Sequence, residues 1–201
     1  MHKFYLHELE QAGVTSIPTL YVPKGSKIDL QEALDTHGWE NALVKPAISA
    51  IAYHTYPIDR INAAQKQELI DNLLGEHDLL IQKFLPQIKT AGEWSFFFFN
   101  GNFSHAVLKN AKSGDFRVQL QHGGRCQGQT PPPSLLEQAH VVVKKSGVDQ
   151  LLYARVDGVE VDGQLYLMEL ELIEPDLFFQ FHPDGLNNFI TALLERAGQE
   201  A

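Results

Sequence analysis

Leu165-Tyr166-Leu167-Met168-Glu169-Leu170-Glu171-Leu172-Ile173-Glu174-Pro175 is apolar up to Met168 and then alternates acidic and apolar residues through Leu172. The alternation reads as a β-strand in which Glu169 and Glu171 share one face. Simple alternation places Leu165, Leu167 and Ile173 on that same face and Met168, Leu170 and Leu172 on the other. Two carboxylates then stand mid-strand with apolar neighbours on both sides. Half-buried paired carboxylates repel unless a cation compensates them. Mg²⁺ is such a cation, and it takes one or two carboxylates together with phosphate oxygens. The plain alternative is a solvated acidic stripe on an antiparallel strand.

Working outward, Leu151 to Val161 reads as the preceding strand, joined to Gln164–Glu174 at Asp162-Gly163. A two-residue turn pairs 161 with 164, and so 157 with 168, which puts Asp157 on the wrong face. A three-residue loop, or a type I turn with a G1 bulge at Gly163, shifts the register by one. Asp157 then lies opposite Glu169, and that shifted register is the expectation. Upstream, Glu93 to Asn100 and Phe103 to Lys109 form a second hairpin around Asn100-Gly101. Arg117 to Gln121 extends that sheet, and the Phe96 to Phe99 run is core or lobe-interface packing. Ser134 and Glu137 read as a capping box for a helix ending at Ser146, and Asp184 to Ala197 as a terminal helix.

The first part of the chain has a different texture. Helices are expected over Lys3–Ala12, over Asp29–His37 with Asp29 as N-cap, and over Asp59–Leu74 closed by Gly75. Ile17–Val22 reads as an edge strand because Pro18 cannot donate to a ladder. Ala42–Pro46 and Asp78–Leu85 read as further strands. The class is α+β, with a small α/β lobe over about 1–77 and a larger, antiparallel, sheet-rich lobe over about 78–201.

The chain has 201 residues, 44% hydrophobic and 20% charged, enough apolar material for a packed core. Lys plus Arg number 16 against 25 Asp plus Glu, for a formal net charge of -9. That balance argues against a general nucleic-acid binder. No apolar run is long enough to span a bilayer, and the first residues lack the apolar region of a signal peptide. One cysteine, Cys126, excludes an internal disulfide. A cytoplasmic protein is expected. The nine histidines show no metal-ligand spacing.

Lys45 ends an apolar strand and needs an anionic partner or a route to solvent. The small-residue run 47–55 that follows it could cover phosphates with backbone N–H groups, Ser49 and Thr55, although it holds no glycine. Arg117, near Gly123-Gly124-Arg125, is a candidate anion clamp or simply an exposed loop arginine.

In order, Lys3, then Val44-Lys45-Pro46-Ala47-Ile48-Ser49-Ala50, Gln82-Lys83-Phe84-Leu85, Glu93, Lys109, Gly114-Asp115-Phe116-Arg117, Arg155-Val156-Asp157 and Glu169-Leu170-Glu171…Glu174-Pro175 resemble the ATP-binding region of the ATP-grasp family. The texture is that of its glutathione-synthetase-like side, in the branch of the cycloserine-biosynthesis cyclo-ligase. The resemblance covers nearly the whole chain. It implies an ATP-grasp fold with the nucleotide between the two lobes. Lys3, Lys45 and Ser49 would contact nucleotide phosphates, Gln82, Lys83, Phe84 and Leu85 the adenine, and Glu93 the ribose hydroxyls. Asp157, Glu169 and Glu171 would bind Mg²⁺, and Glu171 departs from the asparagine usual in the family. Arg117 and Arg155 would steady the phosphoryl group in transfer. The implied reaction is ATP-dependent carboxylate–amine ligation of small molecules through an acyl-phosphate.

Such ligases carry an α/β domain ahead of the first lysine, and here the chain starts two residues before it. The expectation is a truncated gene product, a fragment, or a minimal form whose substrate site a homodimer mate or a separate N-terminal-domain partner would complete. Ligase, partner-dependent ATP-binding module or pseudoenzyme, and unrelated interaction protein remain the alternatives. The lysines and three carboxylates disfavour the last.

Overall fold

The computed structural model describes residues 2–49, 53–112, 115, 117, 118 and 123–199. The chain divides into two compact units, Met1–Glu8 with Ile17–Leu85, and Leu9–Ser16 with Pro86–Ala201.

The first unit is built on a four-stranded antiparallel sheet of order β1-β4-β2-β3. Its strands are β1 (Thr19–Val22), β2 (Asn41–Pro46), β3 (Tyr56–Asp59) and β4 (Leu79–Lys83). β1 lies at the edge, just after Pro18, as a residue without an N–H requires. Val44, Leu79 and Ile81 point to one face and pack with Leu30 and Leu34 of α2 (Leu30–Thr36) and Ile70 and Leu74 of α3 (Ala63–Glu76). Asp29 caps α2 as its spacing predicts, accepting from the Glu32 N–H at 2.9 Å. α3 begins four residues later than expected, because 56–59 is spent on β3, a strand hidden from a sequence reader by Pro57. α3 also runs through Gly75 rather than stopping there, and ends at His77. The other sheet face carries Thr19, Tyr21, Leu43, Lys45, Leu80 and Gln82, as the register dictates. The rings of Phe4 and His7, at the start of α1 (Tyr5–Gln11) and within it, lie against Tyr21.

The second unit holds a five-stranded antiparallel sheet of order β7-β6-β5-β8-β9. The strands are β5 (Glu93–Phe99), β6 (Asn102–Asn110), β7 (Arg125–Gly128), β8 (Tyr153–Val161) and β9 (Gln164–Glu171). Every residue of the central strand β5 is buried. The polar strand β7 had no sequence signal. Residues 119–121 of the expected extension after Arg117 lie outside the described residues. α4 (Pro133–Lys144) packs on β8 and β9, and its His140 meets the Phe98 ring edge-on. Trp94, Phe96 and Phe98 therefore face α4. No capping box forms. Pro132 is the N-cap and Pro133 opens the helix, where its fixed φ and missing N–H are both suited. α5 (Gly185–Gln199) packs on β5 and β6. No helix among the described residues is long and apolar enough to cross a membrane.

Candidate functional site

The β8–β9 hairpin turns at Asp162-Gly163, and Val161 pairs directly with Gln164. Both turn residues have positive φ, 51° and 79°, as a type I′ turn requires. The expected turn bulge is thus absent, yet Asp157 does lie opposite Glu169. The register shifts elsewhere. Gly158 pairs with Leu167 and Asp157 with Glu169, leaving Met168 as the extra residue of a β-bulge. A Cβ on Gly158 would come within 2.8 Å of both Leu165 Cδ1 and Tyr166 O. The bulge also changes the faces. Leu165 and Leu167 do not share a face with Glu169, as alternation predicted. They join Leu170 on the α4 side, where all three are buried. The acids and the apolar residues of β9 are thereby sorted onto opposite faces.

The acidic face continues across the sheet. Arg155 lies opposite Glu171, Ser95 opposite Asp157, and Lys109 opposite Glu93. Arg155 Nε donates to both Asp157 oxygens at 3.1 Å, and Nη2 donates to Asp157 Oδ2 at 2.9 Å. Nη2 also donates to Glu171. Lys109 donates to Glu93 and stands 3.5 Å from Asp157 Oδ1, to which the Ser95 hydroxyl also donates. Glu93, Ser95, Lys109, Arg155 and Asp157 are all buried.

Burial alone would raise the Asp157 carboxyl, but Arg155 and Lys109 beside it hold it down at about 2. Burial would lower Lys109, yet Asp157 and Glu93 keep it raised and charged. Burial pushes Glu93 up against the pull of Lys109. Glu171 is the half-buried flank of the row. Burial, Asp157 and Glu169 together outweigh Arg155 and push it up to about 7.

Glu93, expected at the ribose, is thus brought onto the carboxylate face by Lys109. Lys109 and Ser95 were not singled out for roles. The β5–β6 hairpin hides their relation, because Phe98 pairs with Phe103 but Phe97 pairs with His105, leaving Ser104 as a bulge. Without that bulge Glu93 would face Leu108. Arg117 is not part of this row. Its guanidinium is forked on Asp115, with Nη2 at 2.8 Å from Oδ2. Cys126 lies opposite Lys109, and burial pushes its thiol up.

In the first unit, Lys3 is buried and its Nζ donates to Ser49 O at 2.6 Å and Oγ at 3.3 Å. Lys45 lies opposite Leu80, on the face that carries Gln82. Gln82 is buried and donates to Thr19 Oγ1 at 3.1 Å. The backbone N–H groups of Lys83 and Phe84 donate to Pro18 O and Asn41 O, both at 2.9 Å, so the chain leaves β4 along a fixed path into half-buried Leu85. Of the run 47–55, residues 50–52 lie outside the described residues.

Among the described residues no three His, Cys, Asp or Glu side chains form a ready cation cage. The Arg155 guanidinium stands between Asp157 and Glu171 instead. The donor chemistry nevertheless suits Mg²⁺. Every donor is oxygen, and the four carboxyl groups Glu93, Asp157, Glu169 and Glu171 outnumber the cations Lys109 and Arg155 by two.

No family model matches the chain. The cycloserine biosynthesis protein DcsG of Streptomyces lavendulae is 30% identical, over 98% of this chain and 69% of its own length. The crystal structure of D-cycloserine synthetase DcsG aligns with a TM-score of 0.85 at 28% identity, over 97% of this chain and 69% of that one. A D-alanine–D-alanine ligase from Bacillus anthracis aligns with a TM-score of 0.73 at 16% identity, over 100% of this chain and 69% of that one.

Proposed function

This chain belongs to the ATP-grasp family, a family of ATP-dependent ligases, and on that premise we propose that it joins a small-molecule carboxylate to an amine through an acyl-phosphate, using ATP and Mg²⁺. One observation supports this above the others. Two bulge-set registers stand Asp157 opposite Glu169, Arg155 opposite Glu171 and Lys109 opposite Glu93 on a single sheet face.

In this reading the substrate carboxylate attacks the γ-phosphorus and ADP leaves. The amine nitrogen then attacks the acyl carbon, loses a proton, and displaces phosphate to leave an amide. Lys3, Lys45 and Ser49 would hold phosphate oxygens, and Gln82 with the backbone of Lys83, Phe84 and Leu85 would hold the adenine. Asp157, Glu169 and Glu171 would hold Mg²⁺, which when bound supplies charge neutralisation at the triphosphate. Arg155 would steady the oxygens of the phosphoryl group and of the acyl-phosphate, because its guanidinium already lies along the acidic row. Arg117 would do the same by exchanging Asp115 for phosphate. Glu93 would act by fixing Lys109, whose charge keeps Asp157 ionised.

Calorimetric titration with a non-hydrolysable ATP analogue, with and without Mg²⁺, tests the proposal. The native chain is expected to bind in an Mg²⁺-dependent way, and the Glu169→Gln/Glu171→Gln double variant to lose about 100-fold in that affinity, as removal of charged metal ligands does. Equal binding by both proteins would sink the metal assignment. ADP release on adding a candidate carboxylate then separates a ligase from an ATP-binding module.

A further inference from the structure

His105, Phe97 and Arg155 form one row across β6, β5 and β8, since Phe97 pairs with both of the others. The two polar side chains of the row reach the same short segment. His105 Nε2 lies 3.0 Å from Leu177 O, and Arg155 Nη1 donates to Asp176 O at 3.0 Å. Two consecutive carbonyls are thus gripped by two neighbouring side chains of the sheet. The next residue, Phe178, completes the clasp. Its ring meets Phe97 edge-on at 6.0 Å, and the Arg155 guanidinium lies 6.0 Å from its centroid. Phe178 is left-handed, with φ 49° and ψ 35°, and its N–H donates to Asp176 Oδ1 at 2.9 Å. A bulky residue keeps that conformation only where its surroundings over-determine it.

The tautomer of His105 follows from its partners. Leu177 O only accepts, so Nε2 carries the hydrogen. Nδ1 then accepts from the Ser104 hydroxyl at 2.9 Å, which in turn accepts from Asn188 Nδ2 at 3.0 Å. His105 is 2% exposed, stacked between Phe97 and His182, with Gly185 pressed close enough that a Cβ there would stand 3.3 Å from the ring. Burial keeps it below the ordinary histidine range, hence neutral. A phenylalanine would fill this aromatic site equally well. The nitrogen is needed for the carbonyl.

We infer that His105 is a positioning residue for Arg155, acting through residues 176–178: it fixes the segment whose Asp176 carbonyl and Phe178 ring hold the guanidinium against Asp157 and Glu171. The service of Arg155 to phosphoryl transfer rests on the ligase reading, whereas the clasp does not.

The test reads Arg155 directly. The Nε–H resonance of Arg155 in ¹⁵N-arginine-labelled chain, assigned with Arg155→Lys, is followed by NMR in His105→Phe and His105→Gln. His105→Phe keeps the ring and loses the donor. It is expected to shift the resonance and to speed its hydrogen exchange on the order of tenfold, the effect of one lost hydrogen bond. His105→Gln offers an amide N–H at nearly the place of Nε2 and is expected to restore both. If His105→Phe does not fold, His105→Asn, whose donor falls short of Leu177, takes its place. An unchanged Arg155 signal in a folded, donor-less variant would overturn the inference, whatever the chain does with ATP. In parallel, Mg²⁺-ATP turnover to ADP should fall in His105→Phe through kcat, with the KM for ATP nearly constant. A moved Arg155 signal with no loss of turnover would leave the clasp standing and refute the catalytic role of Arg155.

Discussion

At Ser95 the open face of the five-stranded sheet is a row of acids and cations, and two residues further along the same strand, at Phe97, it is a stack of rings. Both halves are built on the same strands, and Ser95, Lys109, Asp157, Phe97 and Phe99 are buried in them. In the charged half Arg155, Lys109, Asp157 and Glu171 are each tolerable only because of a specific partner. In the aromatic half Phe97, Phe99, Phe178, Phe179 and Phe189 attract one another without direction, by area and ring contact. A buried ion row is a poor source of net stability but is unforgiving of single deletions. A ring cluster accepts repacking. The charged half should therefore respond to substitution sharply and pairwise, and the aromatic half gradually.

Lys109→Met should show the largest effect. It leaves Glu93 without its partner and Asp157 with one cation fewer, and should cost about 3–5 kcal/mol in denaturant unfolding at neutral pH. Lys109→Met/Glu93→Leu should recover much of that loss. If it does not, the two halves do not differ as described. Next is the pH response of Glu171. Its folded-state pKa of about 7 lies above the ordinary 4.5, so the folded chain holds the extra proton across that interval. Its contribution to stability is therefore intact below about pH 4.5 and falls as pH rises toward 7. Mg²⁺-dependent nucleotide affinity should rise over the same interval, by up to about tenfold per unit as pH approaches 7, and level off above it. Titration calorimetry at several pH values reads this, and Glu171→Gln should flatten it. Gly158→Ala should follow, at about 1–3 kcal/mol, because its Cβ meets a backbone oxygen as well as the end of a leucine. Phe97→Leu should be the mildest, about 1 kcal/mol, with nucleotide affinity unaltered. A loss there as large as that for Lys109→Met would erase the distinction.

Much of this was legible in the residues. The edge strand after Pro18 and the Asp29 cap are local chemistry, and local chemistry is printed in the sequence. The turn at Asp162-Gly163 was placed correctly but expected as a G1-bulge type rather than the type I′ turn that forms. Asp157 opposite Glu169 was legible too, but for a displaced reason. The bulge belongs to Met168, the last residue of the apolar run Leu165–Met168, and no glycine or turn residue there marks it. Lys109 stayed hidden for the same cause, since the Ser104 bulge is what brings it opposite Glu93. Short strands escaped as well. β3 has four residues with a proline among them, and β7 is Arg-Cys-Gln-Gly, too brief and polar for periodicity to register.

The two bulges give the site an even–odd character. Each hairpin inserts one residue into its returning strand between the turn and the charged end, and each bulge by itself puts that strand's charged residues on the shared face. Removing Met168 alone would roll Glu169 and Glu171 over into the layer beneath α4, and removing Ser104 alone would do the same to Lys109. Length changes in these strands are thus admissible by twos and ruinous by ones. A chain of this architecture can lengthen or shorten its hairpins freely only if it counts in pairs.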